Sequence, residues 1–358
     1  KINIKRIKYI TFIAILPILP ILFLLIFDFN LVLIATGIRF YILLALPLFI
    51  LEDTQNFNFK KNILINDYIV YFYLFLNILT YLIGYEGFSR PGLGDTFLGV
   101  RYPFIFDNPI IAAQQFGIFL VYFNFRSIIS KSLFEKKIFL LISIFILIMC
   151  FYTGGRAGIV VSLMTILSTI IIYLFPKYKY IFLTPRKTEN KLFIIGILFA
   201  CSIFFVTISS NPLISGRIKT QQTIEKEGVV SGVLTVRKDI FIELFQNFDI
   251  DKIIGKPGKG TNTACNTVIS DYKSEECKKT DALLTSSIFS FGVIGFFIYF
   301  VIILIAANIS YSPLMVITFI VYSLSQIFPE IILPWTQFVL ILFHSNQQRK
   351  LKISNFKK

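Results

Sequence analysis

Long apolar blocks separated by short polar punctuation run through most of the chain. Crossing about 30 Å of hydrocarbon takes a helix of roughly 17 to 25 residues. On that measure the blocks predict about ten helical spans: Tyr9–Phe27, Leu31–Leu51, Ile63–Tyr85, Pro109–Phe123, Ile138–Thr153, Ala157–Phe175, Leu192–Ser210, Leu283–Asn308, Leu314–Phe328 and Ile331–Phe343. The blocks are continuous rather than alternating, which excludes a β-barrel, whose strands carry a period of two. The pattern predicts an all-α, polytopic integral membrane protein. Tyr9–Phe27 lacks a small-residue cleavage site and further spans follow it, so it reads as a retained span rather than a signal peptide. Two polar segments interrupt the blocks, Glu86–Asn108 and Asn211–Thr280. With no internal repeat and no low-complexity linker, residues 1–358 read as one membrane domain, with 86–108 and 211–280 as its two large outward segments.

Inside the longer segment, Val233, Val236, Ile240, Leu244 and Phe248 recur at three- and four-residue steps. That spacing predicts an amphipathic helix lying on the membrane surface, so the segment reads as a helical cap over the bundle. Gly255-Lys-Pro-Gly-Lys-Gly260 is a turn-rich loop.

Composition agrees with the pattern: 56% hydrophobic residues, 15% charged and a mean hydropathy of +0.75. The 41 phenylalanines and the many isoleucines are what an AT-rich coding sequence yields and carry little functional information. A net charge of +15 raises the question of nucleic acid. The basic residues flank apolar blocks, however, where orienting helices is their role, so no nucleic-acid partner is expected. Lys1, Lys5, Arg6 and Lys8, then Lys60 and Lys61, Arg126 to Lys137, Lys177 to Lys191, and Arg349 to Lys358 all fall on one side of the predicted spans. By the positive-inside rule that side is cytoplasmic and holds both termini. The long segment has lysines of its own and is exempt, because long loops translocate largely regardless of charge.

The opposite face is left with arginines: Arg90, Arg101, Arg156, Arg217 and Arg237. Singly each has an ordinary explanation, such as snorkelling to headgroups for Arg101 and solvation for Arg217 and Arg237. Arg156 lies in Thr153-Gly-Gly-Arg-Ala-Gly158, where small residues let another backbone approach and turn the guanidinium towards protein. Together they supply bidentate, permanently charged donors suited to a diphosphate. Arg39, inside an apolar block, is unexplained by this scheme. Cys265 and Cys277 share the outward segment, and on compartment grounds a disulfide between them is expected. The single histidine, His344, falls beside a basic tail and is given no catalytic role. No His/Cys cluster, P-loop or serine-hydrolase elbow is present in the sequence, so neither a metal nor a cofactor is expected.

Four segments, in this order, resemble the bacterial O-antigen polymerase and ligase superfamily of membrane glycosyltransferases. They are Gly99-Val-Arg101 through Asp107-Asn108-Pro109; Thr153-Gly-Gly-Arg156-Ala-Gly158; the long outward segment with Arg217, Arg237 and Gly255–Gly260; and Thr280-Asp281-Ala-Leu-Leu284 leading to Phe291-Gly-Val-Ile-Gly295. The resemblance implies an inner-membrane enzyme that joins undecaprenyl-diphosphate-linked repeats at the periplasmic face. Both glycan donor and acceptor are lipid-linked, and a chain-length regulator protein is an implied partner. It implies catalytic roles for Asp281, Arg156 and Arg217, and substrate binding by Arg101, Arg237, Arg90, Asn108 and Glu276. Ligases of the superfamily carry a histidine where Asp281 stands, which tilts the resemblance towards polymerase. As the acceptor's base, Asp281 competes with a plain helix-start role for that aspartate; Glu276 is the reserve. Two other functions stay open: a ligase passing glycan to lipid A core, and a lipid-carrier transporter, which broken helices and mid-depth ionisable residues would favour.

Overall fold

The computed structural model describes residues 31–50, 59–83, 95–96, 99–100, 102–106, 108–130, 132–174, 283–309, 313–325 and 334–345, with Leu22 and Ile26. These residues are almost wholly helical. The helices are α1 (Leu31–Ile50), α2 (Phe59–Leu82), α3 (Pro109–Ile129), α4 (Leu133–Thr153), α5 (Arg156–Leu174), α6 (Leu283–Ile309), α7 (Pro313–Ser325) and α8 (residues 334–345). One two-residue antiparallel ribbon, β1 (Asp95–Thr96) with β2 (Gly99–Val100), pairs Asp95 with Val100 and Thr96 with Gly99. The all-α class expected from the sequence is therefore present. The predicted block Tyr9–Phe27, apart from Leu22 and Ile26, lies outside the described residues, as do Leu192–Ser210 and the whole segment 211–280.

The expected membrane spans are another matter: among the described residues, no helix is long and apolar enough to cross a membrane. Polar residues within the helices contribute to this, among them Asn66, Asp67 and Asn77 in α2 and Gln114, Gln115 and Asn124 in α3. Even so, residues 138–153 of α4 and all 27 residues of α6 carry no charged side chain.

Local chemistry sets the helix ends. Asn108 caps α3, its side-chain oxygen accepting from the Ile110 N–H at 2.8 Å, and Pro109 pre-sets the first turn. At α4, Ser132 accepts from the Glu135 N–H, and Glu135 places its charge in the first turn, where the helix dipole favours an anion. Gly154 ends α4 in the left-handed region at φ 61°, a conformation that costs glycine nothing, and α5 starts two residues later. Helix α6 is broken at Gly292, whose φ of 57° and ψ of −141° are not helical.

By contacts the chain divides into two compact units. In the first, Phe291 of α6 stacks on Phe40 of α1 at 5.9 Å and meets Tyr41 edge-on at 5.5 Å. Trp335 is fully buried there and donates its indole N–H to the Leu43 carbonyl at 2.7 Å. In the second, α3 is central, with 16 of its 21 residues buried, and it packs on α4 and α5. Helix α2 runs antiparallel to α3: Asp67 meets Tyr122 and Arg126, whereas Tyr73, further along α2, meets Phe119, nearer the α3 start.

Candidate functional site

The Asn108-Pro109 end of one sequence motif and the Gly155–Gly158 stretch of another meet at one end of the second unit. A Cβ at Gly155 would lie 2.3 Å from the Ala113 Cβ and 3.5 Å from the Pro109 carbonyl oxygen. At Gly158 it would lie 2.3 Å from the Ala113 oxygen and 2.4 Å from its carbonyl carbon. Only glycine fits at either place, so the backbones of α3 and α5 touch. Further along, Asn124 donates to Thr169 at 2.6 Å. Gly158 and Thr169 follow their α3 partners at the same sequence separation, so α3 and α5 run parallel, in register. Their N-termini therefore lie side by side. Each presents the positive end of a helix dipole, that of α3 capped by Asn108, and Arg156 places a guanidinium-bearing residue at the first position of α5. The C-terminal turn of α4 joins them, since Cys150 bonds through sulfur to the Ala113 oxygen at 3.7 Å.

The segment leading into α3 is held on the same end. The Tyr102 N–H donates to the Tyr152 carbonyl at 3.1 Å, and the Tyr102 hydroxyl to Thr80 at 3.0 Å. Between Tyr102 and Asn108 the chain makes a tight turn, with the Phe106 N–H on the Pro103 carbonyl at 3.0 Å and Phe104 at φ 57°. A phenylalanine in the left-handed region stores roughly 1 to 3 kcal/mol of strain. Burial of its ring against Tyr102, at 4.9 Å, and Phe116, at 5.1 Å, holds it there. Strain of this kind gathers at functional sites.

Of the residues singled out from the sequence, Arg156 and Asn108 are described, and the structure puts them at this shared end. Arg156 is half-buried and follows the glycine that contacts Pro109 and Ile110. Asn108 acts as the α3 cap, a structural role beside the substrate role expected for it. Arg90, Arg101, Arg217, Arg237, Glu276, Asp281, Cys265 and Cys277 lie outside the described residues. Arg39 is exposed on α1.

One polar cluster escaped the sequence reading, which assigned Arg126 to the cytoplasmic flank. Arg126 instead forks onto Asp67, Nε to Oδ1 at 3.0 Å and NH2 to Oδ2 at 2.8 Å, and Tyr122 also donates to Asp67. The guanidinium lies 5.3 Å from the centroid of the Phe139 ring. Leaving either buried charge without its partner costs roughly 3 to 5 kcal/mol, so this pair locks α2 to α3 at the end away from Arg156.

No family model, curated protein or solved structure matches the chain.

Proposed function

We propose that the chain is a polytopic protein of the bacterial inner membrane, with cytoplasmic termini, that polymerises undecaprenyl-diphosphate-linked repeats into O-antigen or a similar surface polysaccharide. The membrane part of this reading is supported by an inverted distribution of polarity. On α2, Tyr68, Phe72, Phe75, Leu79 and Leu82 form one exposed stripe, and on α4 so do Phe134, Ile138, Leu141, Phe145 and Ile148. Phe72 is 59% exposed and Leu141 71%, whereas Asp67, Gln114, Gln115 and Asn124 are buried. A protein in water arranges these the other way. A polar-lined interior lowers the mean apolarity of every helix that faces it. For that reason the exposed stripes weigh more here than the lack, among the described residues, of a helix apolar enough to cross a membrane.

The observation that carries the enzymatic part is the junction of Asn108-Pro109 with Gly155-Arg156-Ala-Gly158, which joins two helix N-termini to a guanidinium. Such an end suits a departing diphosphate. In the proposed reaction an acceptor hydroxyl attacks the anomeric carbon from the face opposite the diphosphate. A new glycosidic C–O bond forms as the bond to the diphosphate oxygen breaks, and the hydroxyl proton passes to Asp281. Undecaprenyl diphosphate leaves, its charge balanced by Arg156 with Arg101, Arg217 and Arg237. Arg90, Asn108 and Glu276 complete the substrate contacts. Attack from the opposite face inverts the anomeric centre, and arginines neutralise the leaving group without needing a metal.

A second reading, a transporter for the lipid-linked glycan, draws on the break of α6 at Gly292 and the buried Asp67–Arg126 pair. Deleting the chain from its native cell separates the readings, with surface glycan resolved by electrophoresis. The polymerase reading expects core capped with single repeats. Free polymer beside unsubstituted core contradicts it in favour of a ligase, and loss of all periplasmic repeats contradicts it in favour of a transporter.

A further inference from the structure

At the end of the bundle where α5 begins with Arg156, three tyrosines from three separate elements meet. Tyr81 ends α2, Tyr102 opens the turn before α3, and Tyr152 belongs to the last turn of α4. The Tyr81 ring centroid is 5.5 Å from that of Tyr102 and 5.6 Å from that of Tyr152, at interplanar angles of 80° and 62°. Phe104 backs the group, 6.2 Å from Tyr81, and is itself buried. The rings are fixed by the chain: Tyr102 is tied through its backbone N–H to the Tyr152 carbonyl and through its hydroxyl to the Thr80 carbonyl, and the Tyr81 ring packs edge-on against both. Yet Tyr81 remains 44% exposed. Tyr152 reaches Arg156 through the short turn Thr153-Gly154-Gly155, so the aromatic face and the guanidinium occupy one end of the bundle.

A tyrosine offers an apolar face and a polar tip. A pyranose needs both, because its axial C–H groups present a flat apolar face while its hydroxyls radiate from the rim. Tyrosines of a membrane-interface belt are a different arrangement: they stand singly on the outer surface with the hydroxyl reaching to headgroups. Here the Tyr102 hydroxyl is engaged by the Thr80 carbonyl, and the rings of three separate elements turn their edges to one another.

We infer that Tyr81, Tyr102 and Tyr152 form a stacking platform for the first sugar ring of a polyprenyl-diphosphate-linked glycan. The inference rests on the reading of the Arg156 end as the diphosphate site. It adds a specificity element: the platform sets how the donor's first ring lies against the diphosphate, and so selects a sugar with one unobstructed C–H face.

The test compares two probes on the detergent-solubilised full chain, undecaprenyl diphosphate and the same lipid bearing one N-acetylglucosamine. Wild-type protein is expected to hold the sugar-bearing lipid about tenfold more tightly, the size of a good aromatic contact. Tyr81→Ala should remove that difference and leave the bare diphosphate bound as before; Tyr81→Phe, which keeps the ring, should retain most of it. A parallel Tyr152→Ala variant should behave as Tyr81→Ala does. The platform is overturned if Tyr81→Ala binds both probes as wild type does, or weakens both to the same degree. Wild-type protein that binds neither lipid overturns the diphosphate reading and the platform with it, an outcome distinct from loss of the sugar increment alone.

Discussion

Arg156→Lys is expected to cut polymerisation by about two orders of magnitude, the loss typical when one preorganised donor to a developing charge is removed. Lysine keeps the positive charge but loses the fork, and a diphosphate oxygen pair is matched by two parallel N–H groups rather than by a point charge. The first position of α5 magnifies the difference. Its backbone is pinned by Gly155 and Gly158 against Ala113, so the helix cannot shift to let a lysine find a second contact. The measurement is turnover of lipid-linked repeat units by the variant in proteoliposomes, with polymer length read in cells. Normal polymer at normal rate would remove Arg156 from the site.

Gly158→Ala is expected to abolish the folded bundle, and Gly155→Ala to damage it in a way that can be repaired. At Gly158 the new methyl would lie 2.3 Å from a backbone oxygen and 2.4 Å from a backbone carbon of Ala113, and no rotamer change relieves that. Overpacking of a tight interior costs roughly 1 to 3 kcal/mol, and a clash with the main chain of Ala113 belongs at or beyond the upper end. At Gly155 the nearest atom is the Ala113 methyl, at 2.3 Å. Ala113→Gly should therefore rescue Gly155→Ala and fail to rescue Gly158→Ala, a non-additivity of the kind neighbours in contact produce. Thermal unfolding of the purified, solubilised variants gives the answer. A Gly158→Ala protein as stable as wild type would mean that α3 and α5 do not touch along this seam.

Much of the helical layout could be read in advance, and the misplacements have physical causes. The block Leu31–Leu51 became α1 within a residue, and Ala157–Phe175 became α5 shifted by one, because Gly154 and Gly155 punctuate the chain where α5 begins. Pro109–Phe123 stopped short of Ile129 because Asn124 and Arg126 read as polar terminators. In the fold each finds a buried partner, Thr169 and Asp67, and the helix runs on through them. Ile138–Thr153 began late for a similar reason: Lys136 and Lys137 looked like loop, but the Ser132 and Glu135 cap starts α4 ahead of them. The Asp67–Arg126 pair was invisible for want of any local signal, since 59 positions separate its members. The break in α6 falls at the first glycine of Phe291-Gly-Val-Ile-Gly295, inside a continuous apolar run that carries no local signal for a break.

For the candidate site, the glycines flanking Arg156 were a usable signal, and close approach by another backbone is the observed result. Which backbone approaches them was not legible, because parallel register between α3 and α5 is a tertiary fact. The tyrosine platform was missed for the same reason: Tyr81, Tyr102 and Tyr152 are each ordinary in sequence and become a group only when α2, α4 and the turn before α3 meet.

Arginines from separate stretches of chain are expected to serve one diphosphate. Electron cryomicroscopy of the full chain in lipid nanodiscs, loaded with undecaprenyl diphosphate, examines this most directly. The expected map shows the diphosphate at the adjoining N-termini of α3 and α5, within hydrogen-bonding distance of Arg156 and of at least one among Arg101, Arg217 and Arg237. A map with those guanidinium groups dispersed to lipid or solvent, and the diphosphate bound elsewhere, would contradict it.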